Sequence, residues 1–214
     1  MAEYYLCILD FEATCWENDR NDAMQEIIEF PSILYQIHKT GEGFVAEYVS
    51  EFAEYVSPQL CPVLSEFCTE LTGITQEQVD SAATFPEVYK RHFKWLQEHI
   101  PHDQMRHVTF ATCGNWDLRD MLPIETARHN PSLPEQNPYT NWVNVKDPFT
   151  STRPAYQKKS GKSMMNMLRA LKIPHQGRHH SGIDDCRNIA AICVHLIEQC
   201  GVDFRQFVQT NDHA

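Results

Sequence analysis

A chain of 214 residues that is 42% hydrophobic can bury one substantial core, which predicts a single domain over residues 1–214 with its core at about 4–200. The formal charge of −11 argues against a surface that grips nucleic acid broadly, because such grip needs clustered Lys and Arg. The N-terminal MAEYYLCILDFEAT has no basic leader and reaches two carboxylates within a dozen residues, which excludes a signal peptide or membrane span. The expectation is an intracellular protein, cytoplasmic or nuclear, whose eight cysteines stay reduced.

Residues 4–9, YYLCIL, are a short run of β-formers ending where polar residues begin, the pattern of a central strand buried on both faces. Segments 26–39 and 44–58 flank the turn at Thr40–Gly43 and read as a hairpin. Residues 84–100 form a helix with a Thr cap and a Pro in the first turn. A further strand at 106–114 and a helix at 120–129 follow. The proline-rich stretch 130–162 reads as loop, interrupted by a short strand at Trp142–Val145. Amphipathic helices at 163–173 and 183–200 end the chain, with Cys186, Cys193 and Cys200 on one buried stripe rather than in a zinc site. A meander followed by alternating helix and strand predicts an α/β domain with a mixed sheet.

The charge is unevenly spread. From Lys146 onward there are ten Lys/Arg against six Asp/Glu, leaving eight against twenty-three of the chain's totals of 18 and 29. A phosphate-bearing ligand is therefore expected to lean on Arg153, Lys158, Lys159, Lys162 and Arg178.

Asp10 and Glu12 stand two apart where a buried strand ends, and period-two geometry points both carboxylates to one side. Two buried anions that close are stable only with a shared proton or a cation between them, and an all-oxygen donor set suits Mg²⁺ or Mn²⁺. Asp117 follows the 106–113 strand as Asp10 follows the first. Asp185 lies in the first turn of the last helix and faces inward, while Asp184 faces solvent and complements the helix N-terminus.

LDFEAT, WDL and HSGIDD, in this order and over this length, resemble the three motifs of the DEDD exonucleases, which implies a ribonuclease H-like fold: a mixed β-sheet flanked by helices. His180, five residues before Asp185, is similar to the signature of the histidine branch. LDFEATCW, EIIEFP, FCTELTGITQEQVD, TCGNWDLRDMLP and HSGIDDCRNIA further resemble the enhanced-RNAi and three-prime histone exonuclease group, nearest its prion-interactor exoribonuclease branch. The resemblance implies a two-metal-ion 3′→5′ exonuclease releasing nucleoside 5′-monophosphates. Asp10, Glu12 and Asp185 would hold one Mg²⁺ and Asp10 with Asp117 a second, Mn²⁺ serving as substitute, with His180 as general base. Phe67 and Trp116 would stack bases, and the backbone near Ala13 and Thr14 would meet the 3′-hydroxyl. The chain departs from the pattern at His179, where similar proteins usually have proline; His179 is expected to be merely exposed.

The implied partner is the 3′ end of single-stranded nucleic acid, RNA by resemblance. No residue excludes a DNA-directed or dual DNA/RNA exonuclease, and a catalytically silent RNA-binding module would need no intact catalytic set. Recruitment to substrate would fall to a partner protein, the basic segment 153–162 or a homodimer.

Overall fold

The computed structural model describes residues 3–17, 24–129, 137–156 and 163–210. Strand β1, Tyr4–Leu9, is buried along its whole length, and its side chains divide between two cores. Tyr5, Cys7 and Leu9 face one hydrophobic cluster, whereas Tyr4, Leu6 and Ile8 face the other. This explains why the strand reads as a continuous apolar run: both pleat faces are covered. Each such large apolar side chain contributes roughly 1.5–3 kcal/mol of burial.

The hairpin appears as β3, Ile27–Lys39, and β4, Phe44–Ser57, paired antiparallel. β1 pairs antiparallel with β3 and parallel with β6, Val108–Thr112; β6 in turn runs parallel to β7, Asn141–Asn144. Short strands β5, Ala83–Thr84, and β8, Gln209–Thr210, close the order β5-β4-β3-β1-β6-β7-β8, while β2, Glu12–Ala13, pairs with β3. Helix α3, Phe85–His99, packs on the Tyr5 side, and α6, Met164–Leu171, with α7, Gly182–Cys200, packs on the Tyr4 side. In α3 the Glu87 carboxylate accepts from both the backbone N–H and the hydroxyl of Thr84, which fixes the first turn.

Helices α1, Glu66–Thr72, and α2, Gln76–Asp80, lie in a segment that periodicity left unassigned. Both are too short to display a hydrophobic stripe and are held by caps, Ser65 accepting from Cys68 and Thr75 forming a capping box with Gln78. The loop expected over 130–162 is corrected in part. Residues Lys146–Thr152 form α5, in which Pro148 sits in the first turn, where a missing N–H costs nothing. Residues 130–136 and 157–162 lie outside the described residues. The helix expected from Asp120 begins earlier, as a π-helical turn at Trp116–Met121 that runs into α4, Leu122–His129. All eight cysteines are free thiols, and no helix among the described residues is long and apolar enough to cross a membrane.

Candidate active site

The carboxyl end of β1 delivers Asp10, and the chain re-enters the sheet at once as β2, carrying Glu12. In the β2–β3 register Glu12 lies opposite Glu29 and Ala13 opposite Ile27, with an irregularity between the two pairs. Single carboxylate oxygens of Asp10, Glu12 and Asp185 lie within 4.8 Å of one another. Asp117 arrives from the π-helical turn after the neighbouring parallel strand β6, and its Oδ1 accepts the Phe11 backbone N–H at 2.9 Å. π-turns within helices recur at functional sites; here the turn presents Asp117 inward and Trp116 outward.

The cost of this arrangement is visible in the acidities. Burial, then Asp117, Glu12 and Asp185, push the Asp10 carboxyl well above the usual range. Burial and then Glu29 push Glu12 up to about 9. Burial pushes Asp117 up to about 6 against the opposing Phe11 hydrogen bond and the Lys146 charge. Buried like charges are expensive unless a cation sits among them, and donors that are all carboxylate oxygens fit a hard divalent cation. The residues present therefore fit the metal that the motifs imply.

Asp185 is held from several directions. Its backbone N–H bonds to Ser181 O at 2.8 Å, and its Oδ2 accepts the His180 backbone N–H at 2.9 Å. His180 adopts φ 66°, a left-handed conformation that histidine tolerates better than most residues. The expectation that His179 is merely exposed is corrected: its Nδ1 lies 3.0 Å from Asp185 Oδ2, and its ring stacks on that of His180 with centroids 4.0 Å apart. Burial, then the neighbouring His179, lowers the pKa of His180, so the neutral ring is favoured.

Two further expectations change. Asp184 is half-buried rather than turned to solvent, accepting from the Arg178 N–H and from Arg187, both at 3.0 Å. Arg178 already has a protein partner: its guanidinium donates to Glu70 O at 2.6 Å, tying the loop before His179 to the end of α1. Arg153 donates to Thr152 O, and Lys158, Lys159 and Lys162 lie outside the described residues.

Glu29 is the residue that sequence reasoning missed. It is 5% exposed, and its carboxylate accepts the Gly182 N–H at 3.0 Å and the Ile183 N–H at 3.3 Å. The Ser181 side chain makes no cap on α7, so a strand residue satisfies the open amides of the helix that carries Asp185. The close docking explains Gly182, because a Cβ there would meet Pro31 Cγ at 2.8 Å and Asp10 O and Glu29 Oε2 at 3.0 Å. The available signal was a lone acid inside the apolar run IIEF.

Of the expected nucleotide contacts, Trp116 is 36% exposed beside Asp117, and Phe67 is half-buried on α1 rather than part of either main core. Ala13 and Thr14 are buried. Thr14 is tied to the residue just before β3, its N–H donating to Glu26 O at 2.9 Å and its hydroxyl accepting from the Glu26 N–H at 3.0 Å.

A mixed sheet with three antiparallel and two parallel strands at its centre, and acids gathered at the ends of its adjacent parallel strands, defines a ribonuclease H-like architecture. The exonuclease family of RNase T type matches residues 7–193, and the chain belongs to it. It is similar to ERI1 exoribonuclease 3 of Mus musculus, at 38% identity over 88% of this chain and 52% of the relative. Its similarity to 3′-5′ exoribonuclease 1 of Homo sapiens is 35% over 91% and 52%. The chain thus spans about half the length of these relatives. Among solved structures it superposes on the nuclease domain of 3′hExo, a DEDDh family member bound to rAMP, with a TM-score of 0.79 and 33% identity, covering 93% of this chain and 94% of that one.

Proposed function

We propose that this chain is a divalent-metal-dependent 3′→5′ exoribonuclease acting on single-stranded RNA and 3′ overhangs, with residues 4–200 as one catalytic domain. The observation that carries the reading is the convergence of Asp10, Glu12 and Asp185 within 4.8 Å beside Asp117 and His180. The names of its relatives, exoribonucleases, and the rAMP bound to a related nuclease domain support RNA as the substrate class.

Asp10, Glu12 and Asp185 would hold one Mg²⁺, and Asp10 with Asp117 a second, Mn²⁺ serving in its place. When bound, these ions supply positive charge against the scissile phosphate and the departing 3′-oxygen. The residues of the chain do the rest. His180, whose pKa burial and the neighbouring imidazole lower, accepts the proton of the attacking water. Phe67 and Trp116 offer aromatic faces on which terminal bases stack whatever their identity. The buried wall at Ala13 and Thr14 sets the depth to which a 3′ end enters. The products are nucleoside 5′-monophosphates. On this reading a partner protein or a second copy of the chain directs the enzyme to its substrate, because the described site carries few cations for gripping a duplex.

The test is to incubate the protein and Mg²⁺ with 5′-labelled single-stranded RNA, single-stranded DNA, blunt duplex and a stem with a 3′ overhang. Stepwise shortening from the 3′ end, faster on RNA and overhang than on DNA and blunt duplex, is the expected result. Faster cleavage of DNA would transfer the assignment to a DNA-directed enzyme, and release from the 5′ end would overturn it.

A further inference from the structure

Asp185 belongs to two ligand clusters. One is the all-carboxylate set with Asp10 and Glu12; the other joins it to His179 and His180, again with ligand atoms within 4.8 Å. We propose that His179, His180 and Asp185 form a zinc site at the start of α7, which competes with the carboxylate set for Asp185 and so makes Zn²⁺ an inhibitor.

The donor chemistry separates the two clusters. Two imidazole nitrogens and one carboxylate oxygen suit a borderline-soft ion such as Zn²⁺, whereas Mg²⁺ prefers oxygen alone. Zinc bonds to nitrogen and oxygen run about 2.0–2.2 Å, so two ligands of a tetrahedron stand about 3.3 Å apart. His179 Nδ1 already stands 3.0 Å from Asp185 Oδ2, near that edge length. His180 approaches the same carboxylate, its backbone N–H on Oδ2 and its ring stacked 4.0 Å from that of His179.

The cluster is both accessible and braced. The His179 side chain is 45% exposed, so an ion can arrive without opening the fold, while the helix start that carries Asp185 is fixed by Glu29. A third imidazole stands nearby: the His175 ring is 6.3 Å from that of His179, and its buried Nε2 has no hydrogen-bond partner among the described residues. Three protein ligands leave a fourth position for water or for His175. An ion held there withdraws Asp185 from the carboxylate set and occupies the lone pair of His180. That inhibitory consequence rests on the function proposed above; zinc binding itself does not.

The experiment titrates Zn²⁺ into the protein by calorimetry, without and with millimolar Mg²⁺, and repeats it with His179→Ala and His179→Gln. One zinc should bind the parent in both conditions, and each variant should weaken it at least tenfold. Co²⁺ in its place should give the visible bands of a four-coordinate nitrogen and oxygen site without a thiolate charge-transfer band, and His179→Ala should remove them. In nuclease assays, the zinc concentration that halves activity should rise at least tenfold in His179→Ala, each protein compared with its own zinc-free rate. Unchanged zinc affinity in both variants, or a thiolate band from cobalt, overturns the site. Zinc binding at His179 without inhibition of an active parent overturns the competition. A chain that binds zinc as described yet degrades no nucleic acid supports the site and contradicts the proposed function instead.

Discussion

His179 Nδ1 lies 3.0 Å from Asp185 Oδ2, while its neighbour His180 reaches the same oxygen through its backbone N–H at 2.9 Å. Adjacent histidines thus engage one carboxylate in different ways, one through its ring and the other through its backbone. His180→Ala removes the proposed base and should lower turnover on the order of 10²–10⁴-fold with little change in KM for RNA. His179→Ala removes a hydrogen bond that orients Asp185 and the ring stacked on His180, but not the proposed base. It should cost on the order of tenfold, recovered in part by raising Mg²⁺. Single-turnover rates across a metal titration separate the two. A crippled His179→Ala beside an active His180→Ala would assign the base to the other ring.

Glu29 holds the amides of Gly182 and Ile183 and thereby aims Asp185. Glu29→Ala should leave those amides unsatisfied, at roughly 1–3 kcal/mol, and should raise the metal concentration needed for half-maximal rate. Gly182→Ala should give the same phenotype from the other side of the contact, because its Cβ would press on Pro31 and Glu29. Thermal melts beside metal titrations check both. Normal metal dependence in both variants would show that the helix start needs no such brace.

How much of this could be read from the chain alone depended on range. The proposed catalytic acids were legible because LDFEAT, WDL and HSGIDD resemble known exonuclease motifs, each placed where local patterning predicts a strand end or a helix first turn. Glu29 was not, since its role exists only when β3 meets the start of α7, 153 residues away. The same holds for Arg178, whose bond to Glu70 makes it a clasp between loop and helix. Helices α1, α2 and α5, of five to seven residues, present less than two turns of pattern, so their caps and packing decide them.

Acid should destabilise the protein through His92. This ring is fully buried, with its two nitrogens 2.7 Å from Tyr139 Oη and 2.9 Å from Ser32 Oγ, and burial lowers its pKa to about 3. The unfolded chain takes up this proton near the ordinary histidine value of about 6.5, the folded chain only near 3. Stability from His92 is therefore present above about 6.5 and lost as pH falls toward 3, at about 1.4 kcal/mol per unit. Chemical denaturation of the parent and of His92→Phe measures it. The variant should start less stable at pH 7, because the Tyr139 and Ser32 hydroxyls lose their His92 partners, and fall less steeply with acid. Parallel slopes would exclude His92 as the cause.

The metal-free carboxylate cluster carries the opposite sign. Glu12, with its folded pKa near 9 against an ordinary 4.5, retains a proton that the unfolded chain releases. Stability from this group is present below about 4.5 and lost as pH rises toward 9. Mg²⁺ or Mn²⁺ takes the place of that proton, so either ion should raise Tm, and by more at pH 8 than at pH 6. Differential scanning calorimetry in EDTA and in Mg²⁺ checks this. An equal shift at both pH values would mean that ion binding displaces no proton.

Trp116→Ala and Phe67→Ala should raise KM for single-stranded RNA, each by the roughly 1–3 kcal/mol that a base stacked on an aromatic ring contributes, while kcat changes less. Steady-state kinetics on short oligonucleotides measure the split. A fall in kcat at constant KM would assign these rings to positioning the scissile phosphate instead.

If Asp10, Glu12, Asp117 and Asp185 are a divalent-metal centre for hydrolysis, the turnover of 5′-labelled single-stranded RNA by the parent and by Asp185→Asn, across a Mg²⁺ titration and in EDTA, reveals it. The expected result is 3′→5′ shortening that saturates with Mg²⁺, vanishes in EDTA, and in Asp185→Asn needs far more metal or fails altogether, because an anionic ligand has been lost. Full turnover in EDTA, or an Asp185→Asn protein with the parent's rate and metal dependence, would contradict it.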